Sequence, residues 1–287
     1  MLTAHVAIVS EESSITAAEL TTVAGALSKQ VSRDFGPLWE VNADVAAYQR
    51  LEDVPLDYWP IIVKDDIGDP SAAGYHEDQH GQPLALVQYD TSWSLTASHE
   101  CLEMLADPFG RRVIAGESPV QGQGRVNFLV EVCDPCEASE CAYTINGVQV
   151  SDFFTPHFFD PVKSSGVRYS YTGALTAPRQ VLKDGYLSWY VPASKRWWQR
   201  TWFGSQPSDK ALENLNLSGT NIRAAIDRLT EEKRAKAVDK ASPSSKHMAK
   251  AIQTRASGRD AFAMRAGDLR EVIRNVSAKA RQSPRAK

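Results

Sequence analysis

Three ionisable side chains near the middle of the chain have the spacing of a metal-binding helix. His99 and Glu103 are four residues apart, so on an α-helix they lie on the same face, one turn apart. Zinc accepts both imidazole nitrogen and carboxylate oxygen as ligands. Glu100 directly follows His99 and provides a carboxylate that can act as a general base beside a bound ion. The segment SHECLEMLADP, from Ser98 to Pro108, therefore predicts a divalent metal site on a helix.

This segment is a variant of the zinc-hydrolase motif H-E-x-x-H in which a carboxylate replaces the second imidazole. The variant is less specific, because it requires one histidine rather than two. A catalytic zinc ion needs about three protein ligands and an open position for water, so a further ligand must come from elsewhere. Asp107, four residues beyond Glu103, is one candidate. The alternative is that Asp107-Pro108 begins the turn after the helix.

A second acidic segment is a better source of the third ligand. Residues 131–137 read EVCDPCE and combine three carboxylates with two thiols behind an apolar run. We expect Glu131 or Asp134 to bind the metal, with the remaining groups orienting His99 through hydrogen bonds. The alternative is a solvated acidic turn around Asp134-Pro135.

The cysteines indicate a metal site less strongly. Three of the four form a C-x2-C-x4-C cluster from Cys133 to Cys141. A structural zinc site usually closes four ligands around the ion, and the sequence contains no second C-x-x-C. In a reducing compartment, isolated cysteines are more often small buried apolar residues. We favour that interpretation for all four cysteines.

Composition places the chain among globular proteins. It has 287 residues, of which 43% are hydrophobic and 23% charged, as is usual for soluble domains. No uncharged apolar run approaches the ~18–20 residues of a membrane span. The N-terminal sequence MLTAHVAIVSEESS lacks the basic and apolar regions of a secretory signal. We therefore expect a cytoplasmic or virion-associated protein with no membrane partner.

Charge is distributed unevenly along the chain. Residues 206–287 contain 18 Lys and Arg against 9 Asp and Glu, whereas residues 1–205 contain 14 against 26. An acidic body with a basic tail indicates two units with different partners. We predict one domain over 1–205 and a basic helical tail over 206–287, disordered from Arg281. The helical patterns of this tail are Lys210–Leu217, Ile222–Ala237 and Ala261–Ala280.

The tail carries no zinc finger or RNA-recognition signature, and its basic residues interleave with Asp and Glu. Specific nucleic-acid binding is therefore not expected. The pattern favours docking onto an acidic protein partner or self-association, with non-specific nucleic-acid contact as the second interpretation. A solvated helical tail without a dedicated partner is the alternative.

The elements ahead of the motif predict a sheet that backs its helix. Periodicity predicts a helix over Ile15–Ser32, with Ser14 as N-cap, and a motif helix from Ser92–Ser94 to Asp107. A polar, hairpin-like HEDQHGQ separates the last two predicted strands. The four predicted strands are His5–Ser10, Leu38–Tyr48, Tyr58–Val63 and Pro83–Tyr89.

This order of elements is similar to the upper half of zincin-type hydrolases, in which an edge strand of a twisted sheet lines the substrate cleft. We assign Leu84–Tyr89 as that edge strand, since an exposed edge can bind an extended peptide through its backbone. A loop- and hairpin-rich lower half follows, with turns at Asn146-Gly147 and within Tyr186–Trp202. The predicted class is α+β, zincin-like, with a helical C-terminal tail. Another kind of α+β domain is the alternative.

The segments SHECLEMLADP and EVCDPCE, followed by YTINGVQVSDFFTPHFFDP, resemble a family of uncharacterised bacterial and phage-encoded proteins. These are described as metalloproteases and share the pattern S-H-E-x-x-E-x-x-x-D-P. A weaker similarity extends to plant EXORDIUM-like proteins, which have an H-E-x-x-E helix followed by E-x-x-D-x-C-E. The stronger match covers residues 91–161, about a quarter of the chain.

This resemblance implies a metallopeptidase that acts on a protein or peptide substrate. The implied ligands of Zn²⁺, or of another divalent ion, are His99, Glu103 and either Glu131 or Asp134. Glu100 would be the general base. The tetrahedral intermediate of peptide hydrolysis carries an oxyanion, and His157, Tyr75 or His76 would donate a hydrogen bond to it. The alternatives are that His157 is an ordinary packed residue and that His76 lies in a solvated loop. Two other functions compete: a non-catalytic structural or virion-associated protein that retains a metal-binding zincin scaffold, and a module whose acidic cleft binds a basic ligand such as its own tail.

Overall fold

A computed structural model describes residues 3–68, 72–79, 81–213, 215 and 221–240. Within the last of these ranges, residues 231, 232 and 235–240 are described by their backbone alone. One compact unit extends to Lys240. It combines α-helices with several β-sheets, so the predicted α+β class is confirmed. Among the residues described, none of the helices combines the length and the apolar character that crossing a bilayer requires.

Five strands form the first sheet. They are β1 (Thr3–Ser10), β2 (Asn42–Tyr48), β3 (Tyr58–Lys64), β4 (Gly74–Gln79) and β5 (Gln82–Gln88). Their order is β2-β1-β3-β5-β4, with the first four parallel and β4 antiparallel to β5 at the edge. Val6–Val9 of β1 are fully buried, because both faces of a parallel sheet are usually covered.

The prediction of the edge strand was wrong. β5 contains most of Leu84–Tyr89, but it lies between β3 and β4. The edge strand is β4, whose sequence GYHEDQ overlaps the segment predicted as a polar hairpin. Edge strands tolerate charged and polar residues because one of their edges is unpaired. The apolar pattern therefore identified the interior strand and missed its neighbour.

In the part of the chain that the structure describes, four α-helices accompany the sheets: α1 (Ala17–Lys29), α2 (Gly36–Trp39), α3 (Trp93–Ala106) and α4 (Ile222–Lys240). The N-cap of α1 is Thr16 rather than Ser14, since Thr16 Oγ1 accepts from Glu19 N at 3.1 Å. α1 is followed by a π-helical segment, Gln30–Phe35. The predicted motif helix is confirmed as α3. It ends before Pro108, which disfavours helical geometry at the preceding residue.

A second sheet, entirely antiparallel, forms the lower half. Its order is β12-β11-β10-β7-β6. These strands are β6 (Val113–Glu117), β7 (Arg125–Leu129), β10 (Tyr186–Val191), β11 (Arg196–Thr201) and β12 (Ser208–Ala211). Both predicted hairpins are confirmed. β8 (Tyr143–Ile145) and β9 (Val148–Val150) are joined by Asn146 and Gly147, at φ 52° and 84°, as a type I′ turn requires.

One hydrophobic core joins the two halves and includes Ile8, Leu102 and Phe128. α3 lies in this core, so its polar residues are enclosed by packed elements. Four 3-10 turns complete the described elements: Leu51–Asp53, Asp134–Cys136, Ser139–Cys141 and Pro156–Phe159.

The described part of the tail belongs to the same compact unit as the residues before it, although the sequence predicted a boundary after residue 205. β12 pairs with β11, so the prediction that a helix begins at Lys210 is wrong. The helix predicted from Ile222 is confirmed as α4. The third predicted helix, Ala261–Ala280, and the end predicted to be disordered lie outside the described residues.

Candidate metal centre

α3 presents the motif side chains to an enclosed pocket. Glu100 and Glu103 expose 3% and 0% of their surface, and the His99 side chain 14%. His99 Nε2 lies 3.4 Å from Glu103 Oε1, as expected of residues four apart on one helical face. The spacing that indicated a metal site therefore places an imidazole and a carboxylate side by side.

Asp134 completes a group of three potential ligands. It begins the 3-10 turn Asp134–Cys136 after β7, and its Oδ1 lies 3.1 Å from His99 Nε2. One donor atom from each of His99, Glu103 and Asp134 lies within 4.8 Å of the others. The backbone N–H of Cys133 donates to Glu103 Oε1 at 3.1 Å and fixes that carboxylate. We call these three residues the His99 trio.

Glu131, the fourth predicted ligand, is buried in the same region but outside the His99 trio. Neither of its carboxylate oxygens has a hydrogen-bond partner among the described residues. Its Oε1 lies 3.6 Å from Arg223 Nε. Burial raises the pKa of Glu131 well above its ordinary value, and the charges of Asp134 and Asp227 raise it further.

A second group contains His76, Glu100 and Glu103, whose donor atoms also lie within 4.8 Å of one another. We call it the His76 trio. His76 on β4 is 1% exposed, so the solvated loop considered for it is wrong. Its Nε2 lies 3.0 Å from the carbonyl oxygen of Asp107. Because a carbonyl only accepts hydrogen bonds, Nε2 carries the proton, and in the neutral ring Nδ1 keeps a lone pair.

His76 Nδ1 faces Glu100 Oε2 at 3.5 Å, and neither atom has a hydrogen-bond partner among the described residues. Two acceptors that face each other repel unless a proton or a cation lies between them. Buried polar atoms without partners commonly mark a site for water or an ion. Asp134 Oδ2 is a further atom of this kind.

A guanidinium from α4 enters the same region. The Arg223 side chain is 3% exposed. Its Nη2 contacts Glu103 Oε2 and lies 3.7 Å from Glu100 Oε2. Its Nη1 donates to the carbonyl oxygen of His76 at 3.2 Å. The carboxylates that form ion pairs with Arg223 are Glu100, Glu103, Glu131 and Asp227.

We call the five carboxylates Glu100, Glu103, Glu131, Asp134 and Asp227 the acidic pocket. Four of them share the single guanidinium of Arg223, His99 lies beside Glu103 and Asp134, and His76 lies beside Glu100. Burial of carboxylates with too little positive charge is costly. The pocket therefore has the charge and the donor atoms to hold a further cation.

The pKa shifts separate the members of this pocket. Burial opposes ionisation of Glu103, but His99 and Arg223 outweigh it and hold its pKa well below the ordinary value. Burial raises the pKa of Asp227 to about 7, since the attraction of Arg223 offsets only part of this effect. Burial also lowers the pKa of His99, but Glu103 and Asp134 outweigh it, and the net shift is well upward.

A cavity of about 330 Å³ opens beside these groups. Its lining includes Gly74 of β4, Thr96, His99 and Glu100 of α3, and Asp227 of α4. A Cβ atom at Gly74 would lie 2.6 Å from Thr96 Cγ2 and 3.2 Å from Glu100 Cγ. Glycine therefore permits the close approach of the edge strand to the motif helix.

The structure does not bring His157 to this centre. The side chain of His157 is 59% exposed, its Nδ1 pairs with Asp160 Oδ2 at 3.0 Å, and the residue is not among those lining the cavity. Tyr75 lines the cavity, and its hydroxyl donates to the carbonyl oxygen of Ile67 at 3.2 Å. Asp107 Oδ2 accepts from Arg112 N at 2.7 Å, which supports the interpretation of Asp107 as a turn residue.

The cysteines are all free, and Cys101, Cys133 and Cys136 are buried. Burial raises the pKa of the Cys133 and Cys136 thiols well above the ordinary value, and nearby carboxylates such as Glu103 and Asp152 raise it further. A metal ligand has to be the thiolate. The residues described therefore favour the interpretation of these cysteines as packed apolar side chains.

No protein-family model, curated protein or solved structure matches the chain. The interpretation of the site therefore depends on its own geometry. Sequence reasoning missed Arg223 and Asp227, and it proposed His76 as an oxyanion donor rather than as a potential metal ligand. The four-residue spacing of Arg223 and Asp227 predicts one helical face, but it does not indicate what that face contacts.

Proposed function

We propose that the protein is a metal-dependent peptidase with a zincin-like scaffold. The observation that carries this proposal is the convergence of His99, Glu103 and Asp134, whose donor atoms lie within 4.8 Å of one another beside a cavity. One imidazole nitrogen and two carboxylate oxygens form a donor set that suits Zn²⁺, with Mn²⁺ or Co²⁺ as chemically related occupants. The buried, unpartnered Asp134 Oδ2 fits a site of this kind.

The arrangement of the first sheet supports the same proposal. Its parallel strands back α3, and its antiparallel edge strand β4 borders the cavity. An extended peptide can pair with such an edge through main-chain hydrogen bonds, at positions other than the His76 carbonyl, which accepts from Arg223 Nη1. The scissile bond of a peptide on β4 would then approach the His99 trio.

In this proposal Glu100 is the general base. A bound zinc ion supplies Lewis-acid chemistry that activates water for attack on a carbonyl carbon. Glu100 accepts the proton of the attacking water and returns it to the leaving amine as the C–N bond breaks. His76 Nδ1 at 3.5 Å and Arg223 Nη2 at 3.7 Å border Glu100 Oε2 and restrict its position.

Metal content and cleavage together test this function. We expect one zinc ion per chain in wild type and in E100Q, and none in H99A, by mass spectrometry of native protein. A library of unstructured synthetic peptides serves as substrate, with mass-spectrometric detection of products. E100Q should cleave about 10²–10⁴-fold more slowly, the usual contribution of a general base. Equal cleavage by E100Q and wild type would exclude Glu100 as the base, and a zinc-free wild type would exclude the metal centre.

A non-catalytic scaffold is the second candidate, and Arg223 favours it. Its guanidinium already pairs with four carboxylates of the acidic pocket, as a permanent counter-charge would. If Arg223 replaces the metal in such a scaffold, wild type binds no zinc and chelators leave its thermal unfolding temperature unchanged. A scaffold that retains its metal binds zinc as the peptidase does, and only the cleavage assay separates the two. The peptidase predicts a zinc-dependent rise in that temperature, because a ligand that binds only the native state stabilises it.

A further inference from the structure

We propose that the His76 trio is a second cation site, and that the guanidinium of Arg223 takes the place of a divalent ion there. The inference rests on the proposed metal centre, because Glu103 belongs to both trios. It assigns to His76, Glu100 and Glu103 a ligand of stated chemistry, which is Zn²⁺ or a related divalent transition-metal ion.

The donor atoms of the His76 trio have the properties of metal ligands. All three residues are at most 3% exposed, and their donor atoms lie within 4.8 Å of one another. The hydrogen bond from Nε2 to the Asp107 carbonyl fixes the ring and directs the Nδ1 lone pair into the site. Metal-binding histidines are commonly oriented in this way. Nδ1 and Glu100 Oε2 are both without hydrogen-bond partners among the residues described.

The two oxygens of Glu103 face different neighbours. Oε1 lies 3.4 Å from His99 Nε2 and accepts from Cys133 N at 3.1 Å. Oε2 contacts Arg223 Nη2. One carboxylate can therefore serve the His99 trio with one oxygen and the His76 trio with the other. Hydrolases with two neighbouring metal ions hold them about 3.5–4 Å apart, which a shared carboxylate allows.

Arg223 already places positive charge at the second site. Its Nη2 lies between the carboxylates of Glu103 and Glu100, and its Nη1 binds the carbonyl of His76. The guanidinium and a second ion therefore exclude each other. While Arg223 stays in place, Glu100 is free of a metal and can act as the base. Removal of Arg223 leaves the same carboxylates without that charge, so the site gains affinity for a divalent ion.

Zinc stoichiometry tests this inference. We expect wild type to bind one Zn²⁺ per chain and R223M to bind two, measured by native mass spectrometry under the same free zinc concentration. R228M is the matched control: Arg228 lies on the same helix and lines the same cavity, but it forms none of the ion pairs that hold Arg223, so R228M should bind one ion. The double variant R223M/H76A should return to one ion. An R223M protein that binds no more zinc than wild type would overturn the proposal.

The outcome also separates this inference from the proposed function. If wild type binds no zinc while R223M binds one ion that H76A removes, the second site stands and the His99 centre fails. If R223M does not fold without metal, zinc added during refolding should restore it, and R223M/H76A should not be restored. Failure of zinc to restore R223M would overturn the proposal, since the site would then need the guanidinium itself.

Discussion

Two buried acidic regions of this protein differ in how well their charges are satisfied. Asp34 is 2% exposed and pairs with Arg33, while the hydroxyls of Tyr143 and Tyr171 donate to it at 2.9 and 2.7 Å. Burial raises its pKa, but these partners outweigh it and the net shift is downward. In the acidic pocket, by contrast, neither oxygen of Glu131 accepts a hydrogen bond from the described residues, Arg223 Nε lies 3.6 Å away, and the pKa of Glu131 is raised.

This contrast distinguishes a structural carboxylate from a candidate binding site. A fully hydrogen-bonded buried carboxylate stabilises the fold and needs no further ligand. Unpartnered buried carboxylates cost stability, and they persist in native proteins chiefly where an ion, water or a reaction uses them. The acidic pocket and the surroundings of Asp34 therefore predict opposite responses to the same kind of substitution.

The largest effect is expected for E103Q. Glu103 contacts Arg223, His99 and Cys133 N, so its loss breaks a buried ion pair and removes a ligand shared by both trios. We expect zinc binding to be lost and the free energy of unfolding to fall by about 3–5 kcal/mol. Isothermal titration with Zn²⁺ and urea denaturation measure the two effects. Retained zinc affinity in a folded E103Q protein would contradict the proposed metal centre.

D34N should destabilise the protein without affecting zinc. Replacing the carboxylate leaves donors of Tyr143, Tyr171 and Arg33 poorly matched, which costs about 1–3 kcal/mol. Because the pKa of Asp34 is lowered on folding, its stabilisation is complete above the unfolded value of about 3.9 and is lost as pH falls through the folded value. Urea denaturation across that acid range should therefore show a flatter dependence for D34N. A zinc affinity lower in D34N than in wild type would contradict the proposed difference between the surroundings of Asp34 and the acidic pocket.

Much of the His99 side of the site could be predicted from the sequence, because its signals are local. The apolar periodicity of α3 and the restriction imposed by Pro108 predicted the C-terminal end of this helix to within one residue. The four-residue spacing of His99 and Glu103 then followed from helical geometry. Asp134 was predicted as one of two options because carboxylates cluster in residues 131–137, and the structure brings Asp134 to His99.

The other side of the site depends on contacts between distant residues. Arg223 and Glu103 are 120 residues apart, and nothing in the basic tail distinguishes Arg223 from Arg228. β4 was missed because polar edge strands lack the apolar alternation by which strands are recognised. Because His76 lies on β4, its buried position beside Glu100 was missed together with that strand. A pairing determined by tertiary packing leaves no periodic signal in the sequence, so neither the ion pairs of Arg223 nor the contact of His76 with Glu100 could be predicted.

The smallest effect on the free energy of unfolding is expected for E131Q, and its sign is opposite to that of E103Q and D34N. Its carboxylate has unpartnered oxygens and lies among like charges, so removing its charge relieves repulsion while Arg223 keeps three other ion pairs. We expect metal-free E131Q to equal wild type in stability or to exceed it by about 1 kcal/mol, since replacing poorly compensated buried charge is often neutral or stabilising. Urea denaturation in the presence of a chelator measures this difference, with D34N as the destabilised reference. A loss as large as that of D34N would show that Glu131 is a structural carboxylate and that the acidic pocket is satisfied without an added ion.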